Sequence, residues 1–411
     1  MGENILRCSV CGAAAEGSAP VCPRCGGQWE VAFDLQAGRD AYRACIQGGC
    51  RTGVWDYRPL LPVSSIRHPV TLQEGNTPLV EASDLARRMG LRHLYLKNET
   101  RNPSGTYKDR FATVAVSLEK EAGTPAVALG SAGNAAASIS AYCAKANLPC
   151  YVFLPPGAVS ERAWQVRGYG ARLLRLGQTI DDCIAMARAG EDLFGWRSLT
   201  TNMLTNPLGS EGYKTIAYEL GVQLGFQVPD WIFVPVGGGA LLSKIFKGFQ
   251  EMLDLGLTDK LPRLVGVQAQ GCAPLTAAFQ KGASVTERWP GVPETIAFAI
   301  ADVEVYDGAA ALHALRVTGG RSDAVSDGDI LAAMRAIAEE EAVLAEPASA
   351  ATVACVAQLQ REGAIAPGDR VVCILSGNGM RDLRLMEQGR PEIPWVSAGD
   401  TAAVKDWMDS L

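Results

Sequence analysis

The stretch NPSGTYKDR at residues 102–110 decides the predicted fold and function, and Lys108 stands at its centre. A proline and a glycine indicate a turn, and an apolar run with helical spacing begins at Phe111. The pattern therefore predicts that a helix starts at or just after Lys108. Unpaired backbone N–H groups and the positive dipole end of a helix start disfavour an ammonium and favour a free amine, which Schiff-base chemistry requires. The alternative is a solvated lysine paired with Asp109.

Beyond this stretch, short apolar runs bounded by glycine or proline alternate with amphipathic helical patterns. We interpret six runs as buried strands: AVALG, CYVFLPP, ARLLRLG, WIFVPVGGG, RLVGVQA and VVCILSGNG. Segments such as AAASISAYCAKAN and GDILAAMRAIAEEEAV are typical of helices. A turn at residues 76–78 precedes another short strand, and WDYRPLLPV reads as a linker into this region. The alternation predicts an α/β fold whose parallel sheets are covered on both faces.

Three of the predicted strands end in small-residue turns that open helices, which is where open α/β sheets bind ligands. In GSAGNAAAS, residues 130–138, Asn134 is the one long polar side chain, and the alternative is a local helix cap. In PVGGGALLS, the glycines at 237–239 offer backbone N–H groups as a cup for an anion. Because the turn lacks a P-loop lysine and dinucleotide spacing, a phosphate monoester fits best. In ILSGNGMRD, Ser376 offers a neutral hydroxyl.

Together these turns supply an amine, an amide, an anion cup and a hydroxyl, the set that pyridoxal 5′-phosphate needs. The stretches EGNTPL, NPSGTYKDR, SAGNAAAS, PVGGG, AEPASAA and LSGNGMRD occur in that order. On these motifs, residues 52–382 resemble the tryptophan-synthase-type (fold type II) pyridoxal phosphate enzymes, and most closely the threonine synthases. The resemblance implies two doubly wound α/β domains with the active site between them, and an N-terminal zinc ribbon like that of some threonine synthase-like proteins.

The resemblance also implies roles for individual residues. Lys108 would carry the cofactor as a Schiff base and move the substrate Cα proton, and Asn134 would contact the cofactor 3′-oxygen. Ser376 would face the pyridine nitrogen and leave it largely unprotonated, which favours elimination and replacement over transamination. Backbone amides would hold the cofactor phosphate at Gly237, Gly238, Gly239 and Ala240. The substrate α-carboxylate would bind at Ser131, Ala132, Gly133 and Asn134.

One stretch departs from the threonine synthase pattern. Where those enzymes often read NSxNPYRLEGQKT, this chain reads MLTNPLGSEGYKT, so Met203, Leu204 and Gly209 replace the residues that grip the phosphate of phosphohomoserine. An arginine fork is the natural reader of a phosphate. We expect Thr205, Ser210 or Lys214 to serve instead. If the natural substrate is phosphohomoserine, we expect Gly209→Arg to change its KM little or to crowd it. If the natural substrate is a different one, we expect Gly209→Arg to raise phosphohomoserine turnover strongly.

Three functions remain open at this stage. The first is threonine synthase-like conversion of O-phosphohomoserine and water to threonine and phosphate. The second is β-replacement or β-elimination on a serine-like amino acid, as in cysteate synthase on phosphoserine or a threonine or serine dehydratase. The third is a non-catalytic regulatory or binding protein, against which the retained Lys108, Asn134 and glycine cup argue.

The N-terminal segment carries two C-x2-C pairs, Cys8, Cys11, Cys22 and Cys25, each followed by a glycine that permits a tight turn. Four thiolates suit a closed, structural zinc site and leave no open position for catalysis. The alternative is a ribbon that has lost its metal. Cys45 and Cys50 could be further ligands or a thiol pair, and we assign them neither role.

The composition and charge of the chain restrict its possible partners and location. The 411 residues carry a net charge of −6, which argues against a nucleic-acid partner, and they include no apolar run of the ~20 residues that cross a membrane. Without a secretion-signal pattern at the N-terminus, we expect a cytoplasmic protein, with an amino-acid substrate and a homodimeric state. The predicted divisions are a ribbon at 1–50, a large cofactor-binding domain at 51–104 and 217–395, a small domain at 105–216 and a tail at 396–411.

Overall fold

The structure, a computed structural model, describes residues 6–15, 19–63, 66–156 and 161–409. Its strands in these ranges are β1 Leu6–Cys8, β2 Trp29–Val31, β3 Leu79–Glu81, β4 His93–Asn98, β5 Val127–Gly130, β6 Cys150–Leu154, β7 Arg172–Arg175, β8 Arg197–Ser198, β9 Trp231–Pro235, β10 Arg263–Ala269, β11 Arg321–Val325 and β12 Arg370–Leu375.

Its helices in the same ranges are α1 Arg39–Gly48, α2 Ser83–Met89, α3 Asp109–Glu121, α4 Asn134–Ala146, α5 Glu161–Gly168, α6 Ile180–Phe194, α7 Pro207–Ser210, α8 Thr215–Gln223, α9 Ala240–Asp254, α10 Pro274–Gln280, α11 Gly308–Val317, α12 Asp327–Glu341, α13 Pro347–Arg361, α14 Leu383–Glu387 and α15 Thr401–Asp409.

The strands form three sheets. The largest has the order β11-β10-β9-β12-β4-β3 and is parallel except for the edge strand β3. A second, fully parallel sheet has the order β7-β6-β5-β8, and β1 and β2 pair in an antiparallel ribbon. The predicted α/β class with parallel sheets is therefore confirmed, whereas the domain boundaries at 104, 216 and 395 stay a prediction.

Both faces of the largest sheet are covered. Along β9, Ile232 and Val234 join one apolar cluster, while Trp231 and Phe233 join another. Since successive side chains of a strand point to opposite faces, these clusters lie on opposite sides of the sheet. This double burial explains why the strand reads as a continuous apolar run.

The six apolar runs and the strand after the 76–78 turn are strands, as predicted. The predicted burial of the ARLLRLG run is wrong, because β7 is an edge strand whose residues are exposed except for the half-buried Leu173. Sequence analysis missed β4 and β11, because polar residues interrupt them. In β11, Ser322 is buried and donates to the backbone oxygen of Gly266, and Asp323 pairs with Arg321. The linker interpretation of WDYRPLLPV is wrong, because it forms a 3-10 turn at Val54–Leu60 that is buried in the core.

The sheets place the predicted turns together. β9, β12 and β4 are neighbours, and their carboxyl ends lead to the glycine turn, to Ser376 and to the Lys108 stretch respectively. Carboxyl ends of parallel strands share one edge, where ligands bind. No helix in the described part of the chain is long and apolar enough to span a membrane.

Candidate active site

The loop that carries Lys108 is joined to the loop that carries Ser376. The backbone N–H of Tyr107 donates to the Ser376 oxygen at 3.0 Å, and that of Asn378 donates to the Gly105 oxygen at 2.8 Å. Thr106 and Gly377 form a bridge between the same loops. These contacts bring two of the predicted site residues, from distant parts of the sequence, to one place.

Lys108 immediately precedes α3, as predicted, and its amine donates to the Thr201 hydroxyl oxygen at 2.8 Å. The alternative pairing with Asp109 does not form, because that carboxylate is buried and accepts from Ser104 and Ser138. Burial opposes protonation of the amine, but the nearby Tyr107 and Tyr213 raise the pKa of Lys108 overall. The direction of pKa shift that we predicted from the helix start is therefore wrong.

Asn134 begins α4 and is buried. Its amide nitrogen donates to a carboxylate oxygen of Glu346 at 2.8 Å, and its oxygen accepts from the Arg381 guanidinium at 2.9 Å. The Ser376 hydroxyl donates to the other Glu346 oxygen at 3.0 Å. Glu346 thus joins Asn134 to Ser376. The quoted AEPASAA stretch contains Glu346, but sequence reasoning gave it no role.

The glycine turn after β9 has no room for side chains at Gly237 and Gly239. A Cβ at Gly237 would lie 2.6 Å from a carboxylate oxygen of Asp302, and one at Gly239 would lie 3.0 Å from the Asp307 backbone oxygen. Gly239 also has a φ of +97°, and α9 begins at the next residue. The turn therefore places three glycines at a helix start, where backbone N–H groups are able to hold an anion, and the predicted phosphate site there stays a prediction.

Two carboxylates that sequence analysis missed border this cradle. Burial raises the pKa of Asp302 to about 6 and that of Asp307 to about 7. Asp307 accepts from the backbone N–H groups of Met203 and Leu204, and its own N–H donates to the Gly238 oxygen at 2.8 Å. Asp307 therefore links the glycine turn to the stretch that departs from the threonine synthase pattern.

The proposed substitutes for the missing arginine are engaged elsewhere. The Thr205 hydroxyl donates to Asn202 at 2.8 Å, and that of Ser210 donates to the Asn206 oxygen at 2.9 Å. Lys214 is fully buried and pairs with Glu251 at 2.8 Å. For Ser210 and Lys214, the expected contact with a substrate phosphate is therefore wrong, and for Thr205 it stays a prediction.

Position 209 cannot hold the missing arginine either. A Cβ on Gly209 would lie 2.8 Å from the Phe111 ring and 3.0 Å from the Ala115 methyl, both on α3. A side chain there would enter the core rather than the site. Gly209→Arg would disrupt packing and is not the test of substrate that the sequence suggested.

Of the residues predicted to bind the substrate carboxylate, Ser131, Ala132 and Gly133 form the turn between β5 and α4. The Ser131 hydroxyl accepts from the Gly133 N–H at 3.2 Å. The turn is only half-buried, so its backbone remains accessible to a ligand.

A family model described as pyridoxal-phosphate dependent enzyme matches residues 70–377, a span that includes Lys108, Asn134, the glycine turn and Ser376. The chain belongs to this pyridoxal-phosphate dependent family. A threonine synthase of Methanosarcina acetivorans is 38% identical over 383 residues, covering 92% of each chain. One of Synechocystis is 39% identical over 328 residues, covering 79% of this chain and 82% of the relative.

Solved structures support the pyridoxal-phosphate enzyme fold. The processed form of threonine deaminase isoform 2 from Solanum lycopersicum aligns with a TM-score of 0.67 at 22% identity, covering 88% of this chain and 96% of that one. A fungal L-serine ammonia-lyase from Rhizomucor miehei aligns with a TM-score of 0.65 at 23% identity, covering 77% and 98%. At such identities the likeness concerns the fold alone.

The residues of this pyridoxal-phosphate enzyme fit its family's cofactor. The cradle at Gly237–Gly239 suits a phosphate ester, and Lys108 places an amine beside it. The side chains of Asn134 and Ser376 are buried and face a common partner, Glu346, so their polar groups are fixed. The Asp302 carboxylate, which adjoins the cradle at Gly237, opposes an anion there.

Outside the family match, the four predicted cysteines lie together. Their sulfur atoms are all within 4.8 Å of one another, with Cys8 and Cys25 at 3.4 Å and Cys11 and Cys22 at 3.7 Å. Tetrahedral zinc–thiolate bonds of about 2.3 Å imply sulfur separations of about 3.8 Å. The cluster therefore fits one tetrahedral metal ion. Gly12 and Gly26, which end the two pairs, both have positive φ, as their predicted role requires.

Cys45 and Cys50 take no part in this cluster. The Cys45 thiol donates to the Asp56 backbone oxygen at 3.3 Å, and the Cys50 thiol donates to that of Gly53 at 3.2 Å.

The ribbon contacts elements of the active site directly. The Gln28 side chain donates to the Tyr306 oxygen at 2.9 Å and accepts from the Ala310 N–H at 3.2 Å, on either side of Asp307. Glu30 in β2 accepts from Lys244 of α9 at 2.9 Å. The helix that begins at the glycine cradle is thus tied to the ribbon.

Proposed function

We propose that this chain is a threonine synthase-like, pyridoxal phosphate-dependent enzyme that performs elimination and replacement on an amino acid. The first candidate reaction is O-phosphohomoserine and water to threonine and phosphate. The observation that carries the proposal is the convergence of Lys108, the glycine cradle and Ser376 at one sheet edge. Threonine synthases that are 38–39% identical over most of the chain support the choice of reaction.

Pyridoxal phosphate, when bound, supplies an electron-withdrawing ring that stabilises negative charge at the substrate Cα. In the proposed arrangement, Lys108 would hold it covalently and, once free, would remove the Cα proton. Asn134, fixed by Glu346 and Arg381, would contact the 3′-oxygen, and Ser376 would face the ring nitrogen. The backbone amides of Gly237 to Ala240 would hold its phosphate, and the turn Ser131–Asn134 would receive the substrate carboxylate.

The substrate side chain is the least constrained part of this proposal. Arg381, in the loop after β12, is a cation at the site and a candidate contact for a substrate anion. A serine-like substrate for β-elimination or β-replacement is the second candidate. It is favoured by the lack of an arginine at position 209 and by the half-buried Asp302 carboxylate beside the cradle.

The assignment of the cofactor site can be tested on the purified protein by absorbance and by chemical labelling. We expect a visible absorbance band and, after borohydride reduction and peptide mapping, a label on Lys108. Lys108→Ala should lose both, while Lys260→Ala, at a largely exposed lysine, should keep both. A label on another lysine would overturn the assignment.

A substrate screen tests the reaction. We expect the enzyme to release phosphate and form threonine from O-phosphohomoserine. Keto-acid release from serine or threonine, or replacement chemistry on phosphoserine, without turnover of phosphohomoserine would instead support the second candidate.

For the ribbon, we propose that Cys8, Cys11, Cys22 and Cys25 hold one structural Zn²⁺ in the geometry that their sulfur separations allow. We also propose a cytoplasmic homodimer, which sedimentation and cell fractionation would check.

A further inference from the structure

Tyr213 carries a buried hydroxyl that the proposed function does not use. It lies in the 3-10 turn Glu211–Lys214, is 0% exposed, and its hydroxyl has no hydrogen-bond partner within the described residues. A buried hydroxyl without a partner is costly, and a phenylalanine would avoid that cost. Packing alone therefore does not explain why this residue is tyrosine.

The hydroxyl lies beside the reactive amine. The Lys108 nitrogen is 5.6 Å from the centre of the Tyr213 ring, and the hydroxyl is next to Lys108 and Thr201 without reaching hydrogen-bond geometry to either. The ring itself is held between Tyr107, at 5.0 Å between centres, and Phe111, at 5.9 Å.

The backbone of the turn is fixed relative to Lys108. A Cβ on Gly212 would lie 1.8 Å from the backbone oxygen of Arg110, so the turn lies directly against the first turn of α3. On its other side, Glu211 is buried and pairs with Lys244 at 2.6 Å and Lys247 at 2.8 Å. A side chain held on both sides in this way is suited to a task that needs fixed geometry.

We propose that Tyr213 is a second proton-transfer residue, which works with Lys108 on the side chain of the substrate. The inference rests on the proposed threonine synthase-like reaction. That reaction removes a proton at Cα and delivers one to Cγ after phosphate has left, and a single amine is poorly placed to serve both carbons.

The proton count balances. Lys108 takes the Cα proton, which leaves with the phosphate oxygen, and then takes a Cβ proton, whose electron pair expels the phosphate from Cγ. The phenolic O–H of Tyr213 breaks, its proton forms the new C–H bond at Cγ with an electron pair of the unsaturated carbanion, and the phenolate then takes the Cβ proton from the Lys108 ammonium. Water adds at Cβ as hydroxide, and its second proton reaches Cα through Lys108. Phenol and amine end the reaction as they began, and no oxidant or reductant is needed.

Tyr213 departs from the threonine synthase pattern, and this departure is visible in the sequence. The threonine synthase pattern has glutamine where this chain has Tyr213, within the same stretch that lacks the usual arginine.

The test compares Tyr213→Phe with Tyr57→Phe in the holoenzyme. Tyr57 is a matched control, because it is also 0% exposed and its hydroxyl also lacks a described partner, but it lies in the core against Tyr218. Two rates are measured with O-phosphohomoserine in D2O: exchange of the Cα proton, by NMR, and formation of threonine.

We expect Tyr213→Phe to keep the visible cofactor band and Cα exchange within about 3-fold of wild type, and to lose about 100-fold or more in threonine formation, as removal of a general acid does. Tyr57→Phe should change both rates less than about 3-fold. An equal loss of exchange and turnover in Tyr213→Phe would mean that the hydroxyl only positions Lys108, and unchanged turnover would mean that it only packs. Either result overturns the inference. A wild-type enzyme that does not turn over O-phosphohomoserine would instead refute the proposed function.

Discussion

Two clusters of buried charges lie under the candidate site, and they differ in what they connect. The inner cluster joins strand β4 to helices α3 and α8 through Lys97, Glu99, Arg110 and Glu219. The seam cluster joins the ribbon to α9 and to the Tyr213 turn through Glu30, Glu211, Lys214, Lys244, Lys247 and Glu251. In each cluster, positive and negative charges are equal in number.

The inner cluster is sealed and built on an arginine fork. Its side chains are at most 1% exposed, and Arg110 makes two hydrogen bonds to Glu99 and two to Glu219. The seam cluster uses lysines and opens toward solvent at Glu30, which is 21% exposed. Removing one partner of a fully buried pair leaves the other charge buried and unpaired, which is costly. At the edge of the seam cluster, water can reach the remaining charge.

The comparison indicates that the inner cluster is part of the core of the catalytic fold beneath Lys108. The ribbon, in contrast, is attached to that fold through contacts that are partly open to solvent at Glu30. A change in the inner cluster should therefore affect folding as a whole. A change in the seam should affect the active site through α9 and the Tyr213 turn, with smaller losses of stability.

Arg110→Met should produce the largest effect. It leaves Glu99 and Glu219 buried without their main partner, and we expect the free energy of unfolding to fall by about 3–5 kcal/mol. Urea unfolding would measure it. The control Arg87→Met breaks a pair with Asp84 at a 76% exposed side chain and should cost less than about 0.5 kcal/mol. A loss below about 1 kcal/mol for Arg110→Met would show that the inner cluster is not essential.

A carboxylate outside both clusters, the half-buried Asp302, provides the second test. Its pKa is raised to about 6, chiefly by burial, so it gains its negative charge as pH rises through about 6. That charge adjoins the glycine cradle and opposes a phosphate ester. We expect cofactor affinity to fall up to about 10-fold more between pH 5 and pH 8 in wild type than in Asp302→Asn.

Titration of apoprotein with cofactor at each pH would measure this difference, and the cofactor's own ionisation cancels between variants. Glu304→Gln, at a 51% exposed carboxylate near Asp302 in sequence, should titrate like wild type. Identical pH profiles for wild type and Asp302→Asn would contradict the placement of the cofactor phosphate in the cradle.

Cys8→Ser perturbs the seam cluster indirectly, because it removes one of the four clustered thiols of the ribbon. We expect lower zinc content and an earlier thermal transition of the ribbon, because metal binding and folding are coupled in such sites. With Gln28 and Glu30 loosened from Tyr306 and Lys244, the cofactor should bind about 3-fold more weakly, while the band at saturating cofactor stays intact. Cys45→Ser, which removes a thiol outside the cluster, should keep wild-type zinc content and affinity. Unchanged zinc content in Cys8→Ser would reject the ribbon site.

Glu30→Gln should have the smallest effect. Lys244 keeps its pair with Glu211 at 2.6 Å, so we expect a loss of about 1 kcal/mol or less in chemical denaturation. The control is Glu287→Gln, at a side chain that is 81% exposed, and it should leave the stability unchanged. A loss as large as that of Arg110→Met would remove the distinction between the two clusters.

The sequence was sufficient for features that local physics dictates. Continuous apolar runs predicted the strands, and glycine at the ends of three of them predicted the turns that open helices. Two cysteine pairs with a following glycine predicted the four-sulfur cluster. Each of these signals is local, the longest running from Cys8 to Gly26, so no knowledge of the tertiary fold was needed.

The missed features come from residues that become neighbours only in the fold. Thr201 and Asp302 reach the site from loops whose sequence gives no sign of their destination. Glu346 lies in a motif that the sequence analysis quoted, but its contacts with Asn134 and Ser376 form only in the fold. Gly209 was misjudged for the same reason, because Phe111 and Ala115 occupy the space that its alignment with an arginine implied. The pKa of Lys108 depends on Tyr213, which is 105 positions away in sequence and therefore invisible to a local argument.

Asp307 contacts both the glycine cradle, through the Gly238 oxygen, and the backbone of Met203 and Leu204. A ligand that orders the 203–204 backbone and a phosphate ester at the cradle therefore act on one shared residue. Thermodynamic linkage requires that any factor by which the first raises the affinity of the second is returned in full by the second to the first. The enzyme would then retain its cofactor most firmly while a substrate is bound, and would release it most readily when substrate is scarce.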